Sequence, residues 1–400
     1  MGFNPLEEKG IPIDQQLRSW SELNVKPYDK MQVDPYTRCR IIVMNGIEVE
    51  AAMFSHQFNR HTDVAEIKEA LALSRRVEQQ QQKAVNWLTP ADETTLEVTI
   101  GYEQTAIDLT AWIARNEADP YLKQSMEFGL LEDFDHLYRY SNLYELLEGK
   151  QAEQLVKQLT EITPGRPTIE EHRHPFDDLR RHYDKHTASP QSKLNSLILV
   201  AAEQQTMNFY MNMGNRYMEP IARGLYQEIG MIEEQHVTQY ESLLDPAQSW
   251  LEMWVMHEYM EVYLYWSFSQ QETDPRIKAL WELHLNMELE QLRVACELMR
   301  RYDGREPEEM LPPGLGDPLM FEPNKEYVRS VLAAQVDFSA DKLDITMKRP
   351  PRFEAYQSAV HDDGAVPSEE VIDLNREKSG REYRLETEGP NPVERLREKV

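Results

Sequence analysis

Positions 117–130 of this 400-residue chain return at 272–285, an offset of 155 residues (272 − 117). Glu117, Asp119, Pro120, Lys123, Glu127 and Leu130 recur as Glu272, Asp274, Pro275, Lys278, Glu282 and Leu285. Leu96-Glu97 recurs as Leu251-Glu252 at the same offset, and Pro90-Ala91 as Pro246-Ala247 at 156, a slip that a loop absorbs. A long-period repeat constrains the fold more than local propensity does, because each copy must build the same supersecondary unit. The regions 41–145 and 196–300 therefore read as duplicated halves, each of two helical hairpins.

The pattern between 41 and 304 is helical: Gly is scarce, Pro sits at boundaries, and apolar residues recur at spacings of three and four. Asp119-Pro120 and Asp274-Pro275 each place an N-cap acceptor before a Pro at the first helical position, and Thr89-Pro90 and Asp245-Pro246 read the same way. Residues 1–40 read as an irregular arm. Residues 305–400 read as a Pro-rich extension with one helix near Lys325 to Gln335, packed over the bundle or mediating contacts. Between Trp87 and Thr94 there is too little chain to recross a bundle about 30 Å long, so the first two hairpins run up-down-up-down. The 70 residues from Asp133 to Glu203 (203 − 133) leave room for a crossover.

Composition narrows the class. A formal net charge of -27 argues against gripping nucleic acid or an anionic membrane face. With Cys39 and Cys296 alone, a thiolate zinc site or a Cys-ligated iron–sulfur cluster is excluded and a reducing compartment is expected. The start, MGFNPLEEKG, has no basic-then-apolar leader pattern. The most apolar stretch, Trp250 to Phe268, carries Glu252, His257, Glu258 and Glu261, which fits a core helix and not a membrane span. The expectation is a cytoplasmic protein.

The chemistry lies in four spaced sets. Within each hairpin a Glu is followed 30 positions later by an acid, and three further on by His or Gln: Glu48 with Glu78 and Gln81, Glu103 with Asp133 and His136, Glu203 with Glu233 and His236, Glu258 with Glu288 and Gln291. Residues three apart share a helix face, so an acid and an imidazole can reach one ion together. Oxygen ligands with one imidazole per ion suit iron or manganese. Bundle cores holding two such ions use one Glu from each of two helices and Glu-x-x-His from the other two. The second and third hairpins supply that set: Glu103, Asp133, His136, Glu203, Glu233 and His236. Pairing within each half would instead give two sites, each with one His and one Gln. Since an amide is a poor ligand, the reading favours one central site, with the outer hairpins as degenerate buttresses.

This pattern resembles the di-metal carboxylate branch of the ferritin-like superfamily. It is most similar to the small subunit of class I ribonucleotide reductase and to the hydroxylase subunit of bacterial multicomponent monooxygenases, over roughly residues 90–300. The resemblance implies an all-α fold with a ferritin-like four-helix core, flanked here by the extra hairpins. It implies that Glu203 and Glu233 bridge or ligate terminally, with His136 and His236 as one imidazole per metal. Asp133 departs from the usual Glu, and its neighbour Glu132 points off that face. Tyr140 and Tyr240 each follow the metal-binding His by four, and core packing is the favoured role for both; the resemblance implies a catalytic alternative for Tyr140, which matches the radical-bearing Tyr of the reductase subunit. His172, His174, His182 and His186 in the crossover read as solvated. The implied activity is that of an O2-activating oxidoreductase with two Fe ions (or Mn/Fe), extending to oxygenation of a small organic substrate. A separate reductase would supply electrons, the chain would form a homo-oligomer, and no nucleic acid or membrane partner is expected. Ferritin-like metal storage and a bundle with a vestigial site are the alternatives.

Overall fold

Capping signals cut the chain into helices. Asp119 accepts hydrogen bonds from the backbone N–H groups of Tyr121 and Leu122, and Asp274 from that of Arg276, each just before a Pro at the first helical position. The Thr89-Pro90 and Asp245-Pro246 steps do not start helices. The next helices begin at Thr95 and Trp250, where Thr94 with Glu97 and Ser249 with Glu252 form capping boxes. A box satisfies two terminal N–H groups reciprocally, while Asp245 is engaged with the N–H groups of Ala247 and Lys185.

The computed structural model describes residues 3–398. In chain order its helices are α1 (Trp20–Leu23), α2 (Pro35–His61), α3 (Ala65–Asn86), α4 (Thr95–Asn116), α5 (Pro120–Glu148), α6 (Glu153–Val156), α7 (Thr168–Glu171), α8 (Pro190–Met213), α9 (Pro220–Glu241), α10 (Trp250–Gln271), α11 (Pro275–Tyr302), α12 (Lys325–Gln335), α13 (Pro351–Val360) and α14 (Pro367–Ser379). One small hairpin pairs Ser339–Asp341 with Asp344–Thr346. The fold is all-α. No helix among the described residues is long and apolar enough to cross a membrane.

The chain forms two compact units that do not follow the duplicated halves. The first comprises residues 3–92, 183–201 and 244–320 and is built on the first and fourth hairpins, α2–α3 and α10–α11. Its N-terminal arm is tied to α11: Ile11 donates its N–H to the Asn286 carbonyl, and the Gln16 amide donates to that of Met287. Gly10 is required there, because a Cβ would lie 2.4 Å from the Glu290 nitrogen.

The second unit comprises residues 93–182, 202–243 and 321–398. It is built on α4–α5 and on α9, with the later part of α8. Ile100, Ile107, Leu130, Phe134, Leu137 and Ile229 are among its buried core. The C-terminal region is more helical than its Pro content indicates: besides α12, which packs on α4 and α5, α14 packs on α5 and α9. Glu228 accepts the N–H and hydroxyl of Ser368, and the Ser368 carbonyl accepts from Arg139, which anchors the start of α14.

Candidate metal centre

In the second unit α4 carries Glu103, α5 carries Asp133 and His136, α8 carries Glu203, and α9 carries Glu233 and His236. All six are buried. Their donor atoms form two groups, Glu103–Asp133–His136–Glu233 and Asp133–Glu203–Glu233–His236, each with its atoms within 4.8 Å of one another. The groups overlap. Asp133 and Glu233 belong to both, whereas Glu103 and Glu203 each belong to one. The rings of His136 and His236 lie 5.9 Å apart between centroids.

Both imidazoles turn Nδ1 toward the acids. His136 Nδ1 is 3.0 Å from Glu233 and 4.0 Å from Glu103. His236 Nδ1 is 3.3 Å from Asp133, 3.3 Å from Glu233 and 3.7 Å from Glu203. The outer nitrogens meet a second ring of carboxylates: His136 Nε2 is 2.9 Å from Glu171 and His236 Nε2 is 2.8 Å from Glu132. Glu132 does turn away from the six-residue cluster, but it is buried and acts on it through His236. Arg166 (2.8 Å) and Arg173 (2.7 Å) fix Glu132 in turn. A carboxylate accepting from the outer N–H of an imidazole orients the ring and raises its basicity as a ligand.

The crossover delivers Glu171. Asp135 accepts from the N–H of Gly165 (3.0 Å), the N–H of Thr168 (2.8 Å) and the Thr168 hydroxyl (2.7 Å), pinning the start of α7 to α5. Gly165 passes so close to α5 that a Cβ would lie 2.3 Å from the Leu131 carbonyl oxygen. The segment read as solvated is therefore largely buried as far as Arg173, including His172, which lies 3.6 Å from Glu228. His182 and His186 are exposed, as expected.

The donor set fits cations. Both Asp133 oxygens, one oxygen each of Glu103, Glu203 and Glu233, and His236 Nδ1 are buried without a hydrogen-bond partner. Unpartnered buried anions are costly unless a proton or metal compensates them. Burial, with the neighbouring acids, pushes Glu103 and Glu203 well above the carboxylate range and raises Asp133. Burial works the same way on Glu233, but the hydrogen bond to His136 and the closeness of both imidazoles outweigh it and lower its pKa to about 2. Burial lowers the two His, and their carboxylate partners reverse this to well above the usual value. Without metal the cluster is thus held together by protons, which a bound ion displaces. The arrangement is compatible with a di-metal site.

Tyrosines border it. Tyr210 donates its hydroxyl to Glu103. Tyr140 packs its ring 5.1 Å from Tyr210 and 4.9 Å from Tyr226, fully buried, with no partner for its hydroxyl. Tyr240 is also buried without a hydroxyl partner, and Gly129 makes room for it, since a Cβ there would approach the Tyr240 oxygen to 2.4 Å.

Sequence spacing missed Glu132, Glu171, Arg166, Arg173 and Tyr210. Tyr210 had a usable signal: it follows Glu203 by seven, as Tyr265 follows Glu258 by seven, and each donates to the first-helix Glu of the other hairpin in its unit, Glu103 and Glu48. Comparison with protein-family models, curated proteins and solved structures gives no match to this chain.

Proposed function

We propose that the second unit holds two iron or manganese ions and that the protein is an O2-activating di-metal oxidoreductase, oxidising a small organic substrate. The observation that carries this reading is the overlap of two ligand groups, each with its own imidazole, on Asp133 and Glu233. Two carboxylates common to two His-bearing groups suit a pair of adjacent ions better than two independent ones. When bound, such a pair supplies redox equivalents for O2 reduction. The chain's own residues do the rest. Glu171 and Glu132 hold the outer nitrogens of His136 and His236, so that Nδ1 faces the ligand cluster. Tyr210 keeps one oxygen of Glu103 occupied and leaves the other facing inward. The core around Ile107, Phe134 and Ile229 keeps bulk water away.

Tyr140 is the residue we assign to electron relay: its hydroxyl has no partner, and its ring packs on Tyr210, which donates to Glu103. A pocket of about 120 Å³ lined by Tyr210, Met211, Gly214 and Tyr226 offers a small molecule an approach to these tyrosines. The sequence has no flavin or iron–sulfur motif, so a separate reductase would sustain turnover. The test is anaerobic loading with Fe(II), reduction, and exposure to O2. Uptake of O2 that continues with added reductant, and that His136→Ala or His236→Ala abolishes, is expected. Full loading without O2 uptake would replace this reading with ferritin-like storage or a vestigial site.

A further inference from the structure

The first unit repeats the constellation with its imidazoles replaced. Glu48, Glu78, Glu258, Glu261 and Glu288 are all buried there, with Gln81 and Gln291 at the positions that carry His in the second unit. The amides are engaged with one acid. Gln81 Nε2 donates to Glu288, and Gln291 Nε2 lies 3.2 and 3.1 Å from its two oxygens. Glu288 is therefore satisfied by neutral donors.

Three other acids are each held from outside by a single donor. Tyr265 donates to Glu48, the Ser74 hydroxyl to Glu78 at 2.9 Å, and the Trp254 indole N–H to Glu258 at 2.5 Å. In each case the remaining oxygen is buried and has no partner. Glu261 has no hydrogen-bond partner on either oxygen while only 1% exposed. It follows Glu258 by three, on the same helix face, where the second unit has Thr206 after Glu203 and Ala106 after Glu103. This part of the molecule has thus lost imidazole and gained a carboxylate.

We propose that the first unit binds one hard divalent cation through Glu78, Glu258 and Glu261. Oxygen atoms of these three lie within 4.8 Å of one another. A ligand set of carboxylate oxygen without nitrogen or sulfur suits Mn2+, Mg2+ or Ca2+. Because both Glu288 oxygens face amide donors, the set closes on one ion and not on a pair. Ser74 and Trp254 aim Glu78 and Glu258 as outer donors orient metal-binding carboxylates generally. A pocket of about 210 Å³ lined in part by His284 and Met287 reaches Gln81, whose amide donates to Glu288. Read this way, the outer hairpins are a second site of different selectivity and not degenerate buttresses.

The test is Mn2+ titration of the full-length metal-free protein, followed by electron paramagnetic resonance of free Mn2+ and by elemental analysis. In a His136→Ala/His236→Ala background, which disables the second unit's ligand set, about one Mn2+ per chain should remain bound. Adding Glu261→Gln should weaken it at least about tenfold. Glu261→Gln replaces an acid in a crowded buried group by its neutral isostere, so in chelator its unfolding midpoint should equal or exceed that of the parent, whereas the rise produced by Mn2+ should be lost. Should the double-His background not fold, Glu261→Gln in the otherwise unaltered protein should bind one Mn2+ fewer per chain than the parent. Equal Mn2+ binding and an equal Mn2+-induced midpoint rise with and without Glu261→Gln would overturn the proposal.

Discussion

His236 Nδ1 faces Asp133 Oδ1 across 3.3 Å, and neither atom has a hydrogen-bond partner. The two residues stand 103 positions apart (236 − 133), on α9 and α5, and their contact joins the third hairpin to the second at the centre of the ligand cluster. An acid one methylene shorter than Glu, common to both ligand groups, makes this position the most sensitive in the second unit.

Asp133→Asn keeps the size and removes the charge on which hard cations depend. Because Asp133 belongs to both groups, the substitution should empty both positions and not one, while Asp133→Glu should retain metal. Elemental analysis of iron-loaded protein reads this directly. Retention of one firmly bound ion by Asp133→Asn combined with Glu261→Gln, which disables the first unit's set, would show that the residue serves a single metal.

The outer carboxylates should act through the rings they hold. Glu171→Gln and Glu132→Gln should each lower metal affinity by about 10- to 100-fold, measured by competition with a chelator. Glu132→Gln should also cost about 3–5 kcal/mol of stability, because Arg166 loses its buried carboxylate partner and Arg173 keeps only Asp178. Urea unfolding of the two metal-free variants separates the effects, and equal stability would contradict the role given to the arginines.

Gly165→Ala tests the crossover. Its Cβ would meet the Leu131 carbonyl oxygen at 2.3 Å and the Asp135 nitrogen at 2.7 Å, both backbone atoms that cannot rotate away. A cost of about 1–3 kcal/mol is expected from overpacking. Displacement of α7 should carry Glu171 off His136 and weaken metal binding as well. A variant with parental stability and affinity would mean that the crossover does not position Glu171.

Stability without metal should fall as pH rises. Burial lifts Asp178 to about 7 against the pull of Arg173, and lifts Glu288 to about 7. Each therefore keeps its proton in the folded chain over a range where the unfolded chain has released it. For such groups the stabilisation is complete below the unfolded pKa, near 4, and is lost as pH rises through about 7. His136 and His236, raised in the folded state, act in the same direction at higher pH. Thermal unfolding in chelator should give a higher midpoint near pH 5 than near pH 7.5. The opposite order would mean that these groups are ionised in the folded protein.

Helices and ligand-bearing faces were legible because both are periodic. The constant step of 30 from Glu103 to Asp133 and from Glu203 to Glu233 marks antiparallel hairpins, and the step of three marks a shared face. Helix starts failed at Thr89 and Asp245, where a capping box a few residues later offered the backbone more. What the sequence hid is what has no period. Glu171 arrives on a four-residue helix in an irregular crossover, and Glu132 bonds a histidine 104 positions away (236 − 132). The outer hairpins read as degenerate for another reason. Gln81 and Gln291 signal the loss of a His, whereas the added Glu261 falls outside the repeated positions and gains meaning only beside Glu78 and Glu258.

The interleaving of the two units along the chain sets an order of events at the ribosome. The first hairpin is complete at Asn86, yet the α10 helix that shares its unit begins at Trp250, 164 positions later. Until then Phe54, Leu71, Glu48 and Glu78, buried in the finished protein, have no fourth hairpin to pack against. Contacts between segments so far apart in sequence form late and leave apolar surface open to association in the meantime. Nascent chains stalled near residue 243 should therefore be cut readily by protease within α2 and α3, and chains extended past Tyr302 should resist. The hairpin of this unit that is made earlier waits longest to close, and its exposure during synthesis is a direct consequence of which hairpins share a core.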